Sequence, residues 1–136
     1  MKGIRNDAMK KILVIEDNPA YHRILRMRLE SRGYRVLSAW DGLTGFEMAR
    51  REKPDLVLSD LMLPRMNGHK VTRMLKFDRI FSKTPVVILT SRDLEMEADS
   101  ASQCRADAFI PKTTHPDILM DVIEKLIEQT PAGVEL

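Results

Sequence analysis

The feature that most limits what this chain can fold into is an alternation. Short apolar runs recur at Lys11–Ile15, Arg35–Ala39, Leu56–Ser59, Pro85–Leu89 and Ala108–Ile110, and longer stretches with helical apolar spacing fill the intervals. A run of four or five apolar residues bounded by polar ones reads as a strand buried on both faces. Asn18-Pro19 opens the first helix as N-cap and N1, with Tyr21, Ile24, Leu25 and Leu29 as its buried stripe and Gly33 past its end. Asp41 caps a second helix to about Glu52, with Leu43, Phe46 and Ala49 inward, and Asn67-Gly68 precedes a third carrying Val71, Met74 and Leu75. A fourth, from about Asp93 to Cys104, has a thin stripe of Leu94, Ala98 and Ala101. The last, Pro116 to about Gln129, places Ile118, Leu119, Val122, Ile123, Leu126 and Ile127 on one continuous face. Five strands alternating with five helices predict a doubly wound α/β domain with a parallel sheet covered on both faces.

Composition narrows the function classes. The 136 residues are one domain's worth, and 43% hydrophobic with 31% charged residues is the balance of an ordinary soluble protein. No apolar run is long enough for a transmembrane helix, and residues 1–8 lack the apolar core of a signal peptide. The single cysteine, Cys104, excludes an intrachain disulfide and a cysteine-based zinc cage, so the expected compartment is the cytoplasm. The net charge of +2 is uneven: residues 1–35 carry nine Lys/Arg and four Asp/Glu, and the remainder is net acidic. A solvated helix face accounts for this, as does a docking surface for an acidic partner. The basic stretch has little aromatic interleaving, so nucleic acid is not expected as a partner.

The chemistry sits where the strands end. Glu16 and Asp17 follow the first, Asp60 the third, Thr90 and Ser91 the fourth and Lys112 the fifth. Right-handed crossovers bring the C-terminal ends of all strands to one edge, where ligands of such sheets bind. Taken singly, a carboxylate after a strand is usually a helix cap. Together, three carboxylates repel unless something neutralises them, and a hard divalent cation does so with oxygen ligands. A metal, a lysine and a hydroxyl converging on one spot suit phosphoryl oxygens, and Asp60, at the middle of the set, is the candidate nucleophile.

The stretches Ile12-Leu13-Val14-Ile15-Glu16-Asp17-Asn18-Pro19, Pro54 to Gly68, Val86-Val87-Ile88-Leu89-Thr90-Ser91 and Ala106 to Lys112, in this order and spacing, resemble the response-regulator receiver domain of chemotaxis-regulator type. The resemblance implies a flavodoxin-like three-layer sandwich with strand order 2-1-3-4-5, over residues 9–129, with 1–8 and 130–136 as short terminal extensions. It implies a phosphorylation-dependent switch of a two-component system, fed by a histidine kinase or histidine phosphotransfer protein. On this resemblance Asp60 is the phosphoacceptor. Glu16, Asp17, Asp60 and the backbone carbonyl of Met62 hold Mg2+, and Lys112 pairs with the aspartate and then with phosphoryl oxygens. Thr90 and Phe109 form the switch pair, and Met62 and Arg92 flank the path of hydrolytic water and set the lifetime of the signal. The output surface is the fourth helix, fifth strand and last helix, acting on an unknown downstream protein, with a homodimer on phosphorylation as a possibility.

The chain departs from the family pattern in places. The acidic pair is Glu-Asp rather than Asp-Asp, and Phe109 lacks the hydroxyl of the usual tyrosine. Thr113 follows Lys112 where the family has a proline in a cis bond. A non-proline cis bond costs about 3 kcal/mol, so a trans Lys112-Thr113 bond is expected. His22, His69 and His115 have no metal spacing and are assigned surface or packing roles. Trp40 is expected to be partly buried, and Met27, Met48, Met74 and Met120 to fill gaps. Asp55 reads as turn chemistry. Because the pattern occupies about 120 residues, output is expected through a partner's surface, unless the chain belongs to a longer regulator. Two other readings are an aspartate-nucleophile phosphohydrolase, which would need a second aspartate where Met62 stands, and a receiver-like interaction module with a broken site.

Overall fold

A computed structural model describes residues 9–91 and 105–130. The elements in chain order are β1 (Lys11–Ile15), α1 (Pro19–Ser31), β2 (Arg35–Ala39), α2 (Gly42–Glu52), β3 (Leu56–Asp60), α3 (Gly68–Lys76), β4 (Val86–Thr90), β5 (Ala108–Pro111) and α4 (Pro116–Gln129). The helix expected from Asp93 to Cys104 lies outside the described residues, and so does Arg92. The strands form one parallel sheet in the order β2-β1-β3-β4-β5, as expected.

Period-two alternation within the central strands feeds two cores. Ile12, Val14, Leu56, Leu58, Val87 and Leu89 face α1 and α4, meeting Leu25, Leu29, Leu119, Met120, Ile123 and Ile127. Leu13, Ile15, Val57, Val86 and Ile88 face the other way, against Ala49 of α2 and Val71 and Leu75 of α3. Both faces of the three central strands are therefore dry, which is why these read as continuous apolar runs rather than alternating ones.

The helix faces are shifted from those the sequence suggests. In α1 the buried residues are His22, Leu25 and Leu29, while Ile24 is 41% exposed. In α3, Thr72 takes the inward place expected for Met74, and its hydroxyl donates to the Gly68 carbonyl at 2.8 Å. In α4, Met120 is buried and Ile118 lies mostly outside. Met27 is exposed and fills no gap. In each case the true stripe is narrower than the run of apolar residues, because a helix packed on a sheet buries only the side that touches it.

Caps follow the sequence closely. Asn18, Asp41 and Asn67 each accept the amide three residues on, at 2.8–2.9 Å. Gly33 takes φ +89° after α1. Asp55 does more than form a turn: its carboxylate accepts the Lys11 amide at 2.7 Å and pins the start of β1. Asp107 does the same for the Val86 amide at 2.7 Å, and Lys76 Nζ lies 2.6 Å from it. These two carboxylates fasten the edge of the sheet opposite the strand ends that carry Glu16, Asp60 and Lys112.

Candidate functional site

The C-terminal ends of β1, β3, β4 and β5 converge as the topology requires. Carboxylate oxygens of Glu16, Asp17 and Asp60 lie within 4.8 Å of one another. Glu16 and Asp60 are buried and Asp17 is exposed. Lys112 reaches in from the end of β5. Its Nζ is 3.0 Å from Glu16 Oε1 and 3.4 Å from Asp60 Oδ1, so one ammonium bridges two strand ends. The Lys112 amide donates to the Thr90 carbonyl at 2.7 Å, which ties the end of β5 to that of β4. Thr90 itself is buried, and Phe109 is half-buried with its ring stacked on His69 at a centroid distance of 5.9 Å.

Local structure aims each group. Asp60 is the last residue of β3, and its Oδ1 accepts the Leu61 amide at 2.8 Å. Gly68 opens α3 against the same point, since a Cβ there would collide with the Asp60 carbonyl. Glu16 is held on all sides. Its amide donates to Ala39, its Oε2 accepts the Asn18 amide at 2.9 Å, and its carbonyl meets His22 Nδ1 at 2.8 Å. The Lys112 ammonium also sits 4.7 Å from the centre of the Tyr21 ring, a cation–π contact on its apolar side.

Charge in this pocket is not balanced. Burial raises the pKa of Asp60 above its ordinary value, partly countered by Lys112. Burial likewise raises that of Glu16, against the hydrogen bonds from Asn18 and Lys112. For Lys112 burial alone would lower the pKa, but the hydrogen bond to Glu16 and the charge of Asp60 outweigh it and hold the ammonium charged. Among the described residues one cation thus faces three carboxylates, and two of them carry a desolvation penalty. The all-oxygen donor set and the surplus negative charge fit a hard divalent cation. A carboxylate oxygen that accepts one hydrogen bond keeps a second lone pair, so the existing bonds do not exclude coordination.

The structure brings together Glu16, Asp17, Asp60, Thr90 and Lys112 from the ends of four strands. Met62 stands two residues past Asp60, with its side chain 54% exposed. Arg92 falls outside the described residues. No cis peptide bond occurs among the described residues, so Lys112-Thr113 is trans as expected. The sequence reading missed three supports: Tyr21 beside Lys112, the Asn18 amide on Glu16, and His22 beneath Glu16. Only the Asn18 position carried a sequence signal, as a cap.

The family of response regulator receiver domains matches residues 12–124. The chain is 34% identical to Protein PilH of Pseudomonas aeruginosa over 119 residues, covering 88% of this chain and 98% of PilH. Some other relatives are longer, and the chain spans 44% and 26% of two of them. Among solved structures, the receiver domain of a histidine kinase from Syntrophus aciditrophicus superimposes with a TM-score of 0.85 at 27% identity, covering 93% of this chain and 96% of that one. The receiver domain of a sensor histidine kinase from P. aeruginosa, solved with a magnesium ion in its active-site cleft, gives 0.82 at 27% identity, covering 88% and 98%.

Proposed function

The chain belongs to the response-regulator receiver domain family, signalling switches worked by phosphorylation, and on that premise we propose that Asp60 is its phosphoacceptor. The observation that carries the proposal is the Lys112 ammonium bridging Glu16 and Asp60, with Asp17 alongside. No enzyme turnover on an external substrate is proposed. The domain promotes only its own phosphorylation and dephosphorylation.

In the transfer, a carboxylate oxygen of Asp60 attacks the phosphorus of a phosphohistidine on a kinase or phosphotransfer protein. The P–O bond forms as the P–N bond breaks, and the imidazole leaves to take a proton from solvent. Glu16, Asp17, Asp60 and the Met62 carbonyl would hold Mg2+, which when bound offsets the carboxylates and the charge on the phosphoryl oxygens. Lys112, already within reach of Asp60, shifts its hydrogen bond to a phosphoryl oxygen. Thr90 donates its hydroxyl to another, and Phe109 turns into the space Thr90 leaves, a change made by packing alone. The conformer with both residues inward is the one that phosphorylation favours. Its readout is the surface of β5, α4 and the segment 93–104.

The exposed face of α1 supports the docking of a kinase. Arg23 and Arg26 flank the exposed apolar residues Ile24 and Met27 on a helix whose start lies beside Glu16. Met62 and Arg92 are proposed to shield the phosphoryl group from water. No helix among the described residues is long and apolar enough to cross a membrane, and the cytoplasm is the proposed location. The proposal is tested by incubating the protein with a small acyl phosphate and Mg2+. A hydroxylamine-labile phosphoryl adduct, abolished by EDTA, is expected; an adduct that survives either treatment overturns the assignment.

A further inference from the structure

His22 is an unusual residue to find buried beside an acidic cleft. It is 1% exposed, and every polar atom of its ring is engaged. Nδ1 lies 2.8 Å from the Glu16 carbonyl, and Nε2 lies 2.8 Å from Ser38 Oγ on β2. A carbonyl can only accept, so Nδ1 carries a proton, and in the neutral ring Nε2 accepts from the Ser38 hydroxyl. The indole of Trp40 lies on the ring at a centroid distance of 3.9 Å and an interplanar angle of 18°. Trp40 keeps about half of its surface in solvent, so it is a cover for the histidine rather than a core residue.

This arrangement acts on the backbone on either side of Glu16. The Glu16 amide is the last to join β1 to β2, through its bond to Ala39 at 3.1 Å. Its carbonyl has left the sheet and is taken by His22. The two peptides flanking Glu16 are thus held separately, Ile15–Glu16 by β2 through the Glu16 N–H and Glu16–Asp17 by α1 through the Glu16 carbonyl, and the second plane sets where the Asp17 side chain departs. Asp17 is exposed, and among the described residues nothing donates a hydrogen bond to its carboxylate, so its direction depends on the backbone beneath it.

We propose that His22 is a positioning residue for the divalent-cation site: its Nδ1–H grips the Glu16 carbonyl and so aims the Glu16–Asp17 pair at Asp60. This rests on the reading of Glu16, Asp17 and Asp60 as cation ligands. Groups that orient ligands without touching the metal are worth about 10- to 100-fold in metal affinity.

The test exploits side-chain geometry. The amide nitrogen of Asn superimposes on Nδ1 of His, and that of Gln on Nε2. His22→Asn keeps a donor for the Glu16 carbonyl and loses the Ser38 contact; His22→Gln does the reverse. Mn2+ serves as the probe, with free Mn2+ read by electron paramagnetic resonance, and melting in metal-free buffer is recorded for each protein. His22→Gln is expected to weaken Mn2+ binding by about 10-fold, while His22→Asn stays closer to wild type. Equal affinities in the two variants, or the reverse order, overturn the proposal. Absence of Mn2+ binding by wild type overturns the cation-site reading and this inference with it, whereas wild-type binding with indifferent variants overturns this inference alone. Should neither variant fold, the tautomer of wild-type His22 decides: imidazole nitrogen NMR should place the proton on Nδ1, and a proton on Nε2 contradicts the proposal.

Discussion

Lys112 and Asp60 carry the chemistry proposed above, and their environment makes two outcomes measurable. Lys112→Ala removes the only ammonium drawn between Glu16 and Asp60 among the described residues. Labelling by a small acyl phosphate should slow by about 10²-fold, the loss typical of one electrostatic contact to a transferring group. A rate within experimental error of wild type contradicts the role given to Lys112. The second outcome concerns pH. Burial raises the folded-state pKa of both Asp60 and Glu16, so the native protein holds these protons more tightly than the unfolded chain. Their contribution is therefore favourable below the ordinary carboxylate range and is lost as pH rises through the raised folded values. Metal-free protein should lose stability over that weakly acidic window, and Mg2+ should restore it. Asp60→Asn, which removes one buried charge, should be more stable than wild type at neutral pH without metal. Urea denaturation at several pH values, with and without Mg2+, checks all three. Asp60, Glu16, Asp17, Thr90 and Lys112 were legible in the sequence because each follows an apolar run. His22 and Tyr21 were not, because nothing in a helical stretch tells which residues of its first turns reach a neighbouring loop.

At the scale of elements, the site depends on two close fits remote from its charges. Gly68 lets α3 start against the Asp60 carbonyl, and a methyl group there has no room. Gly68→Ala should cost about 1–3 kcal/mol, the range for overpacking, and should weaken cation binding because the displaced atoms belong to the acceptor's own peptide. At the opposite edge, Asp107 holds the Val86 amide and the buried Lys76 ammonium. Asp107→Ala leaves the Val86 amide without its acceptor and removes the charge partner of Lys76, whose ammonium keeps the Ser82 and Thr84 carbonyls; a loss of about 1–3 kcal/mol is expected, with labelling at Asp60 retained below the melting transition. A melting temperature unchanged by either substitution contradicts these contacts. The strands were legible almost residue for residue, since burial on both faces keeps the central three largely apolar. The helix stripes were not: Ile24, Met74 and Ile118 satisfy helical spacing yet point outward. Spacing identifies a helix, whereas the sheet's curvature and the neighbouring helices decide which of its apolar residues are covered.

At the scale of the whole molecule, the parallel sheet separates two tasks. One edge gathers charge that is unfavourable without a cation, and the other is fastened by paired carboxylates that stabilise the fold. Strand order 2-1-3-4-5 followed from the resemblance and is the order the sheet has; alternating strands and helices with right-handed crossovers leave few arrangements. The bland net charge conceals this division, since a basic α1 borders an acidic cleft. The same separation predicts that occupancy of the cleft is felt through Thr90 and Phe109 rather than through the fastened edge. The account stands or falls on where the phosphoryl group goes. Wild type and Asp60→Asn should be incubated with Mg2+ and a small acyl phosphate, trapped with borohydride, digested and mapped by mass spectrometry. Borohydride reduces an acyl phosphate to an alcohol, so the account predicts a reduced residue at Asp60 in wild type and none in Asp60→Asn. Reduction at another carboxylate, in both proteins or in neither would contradict it.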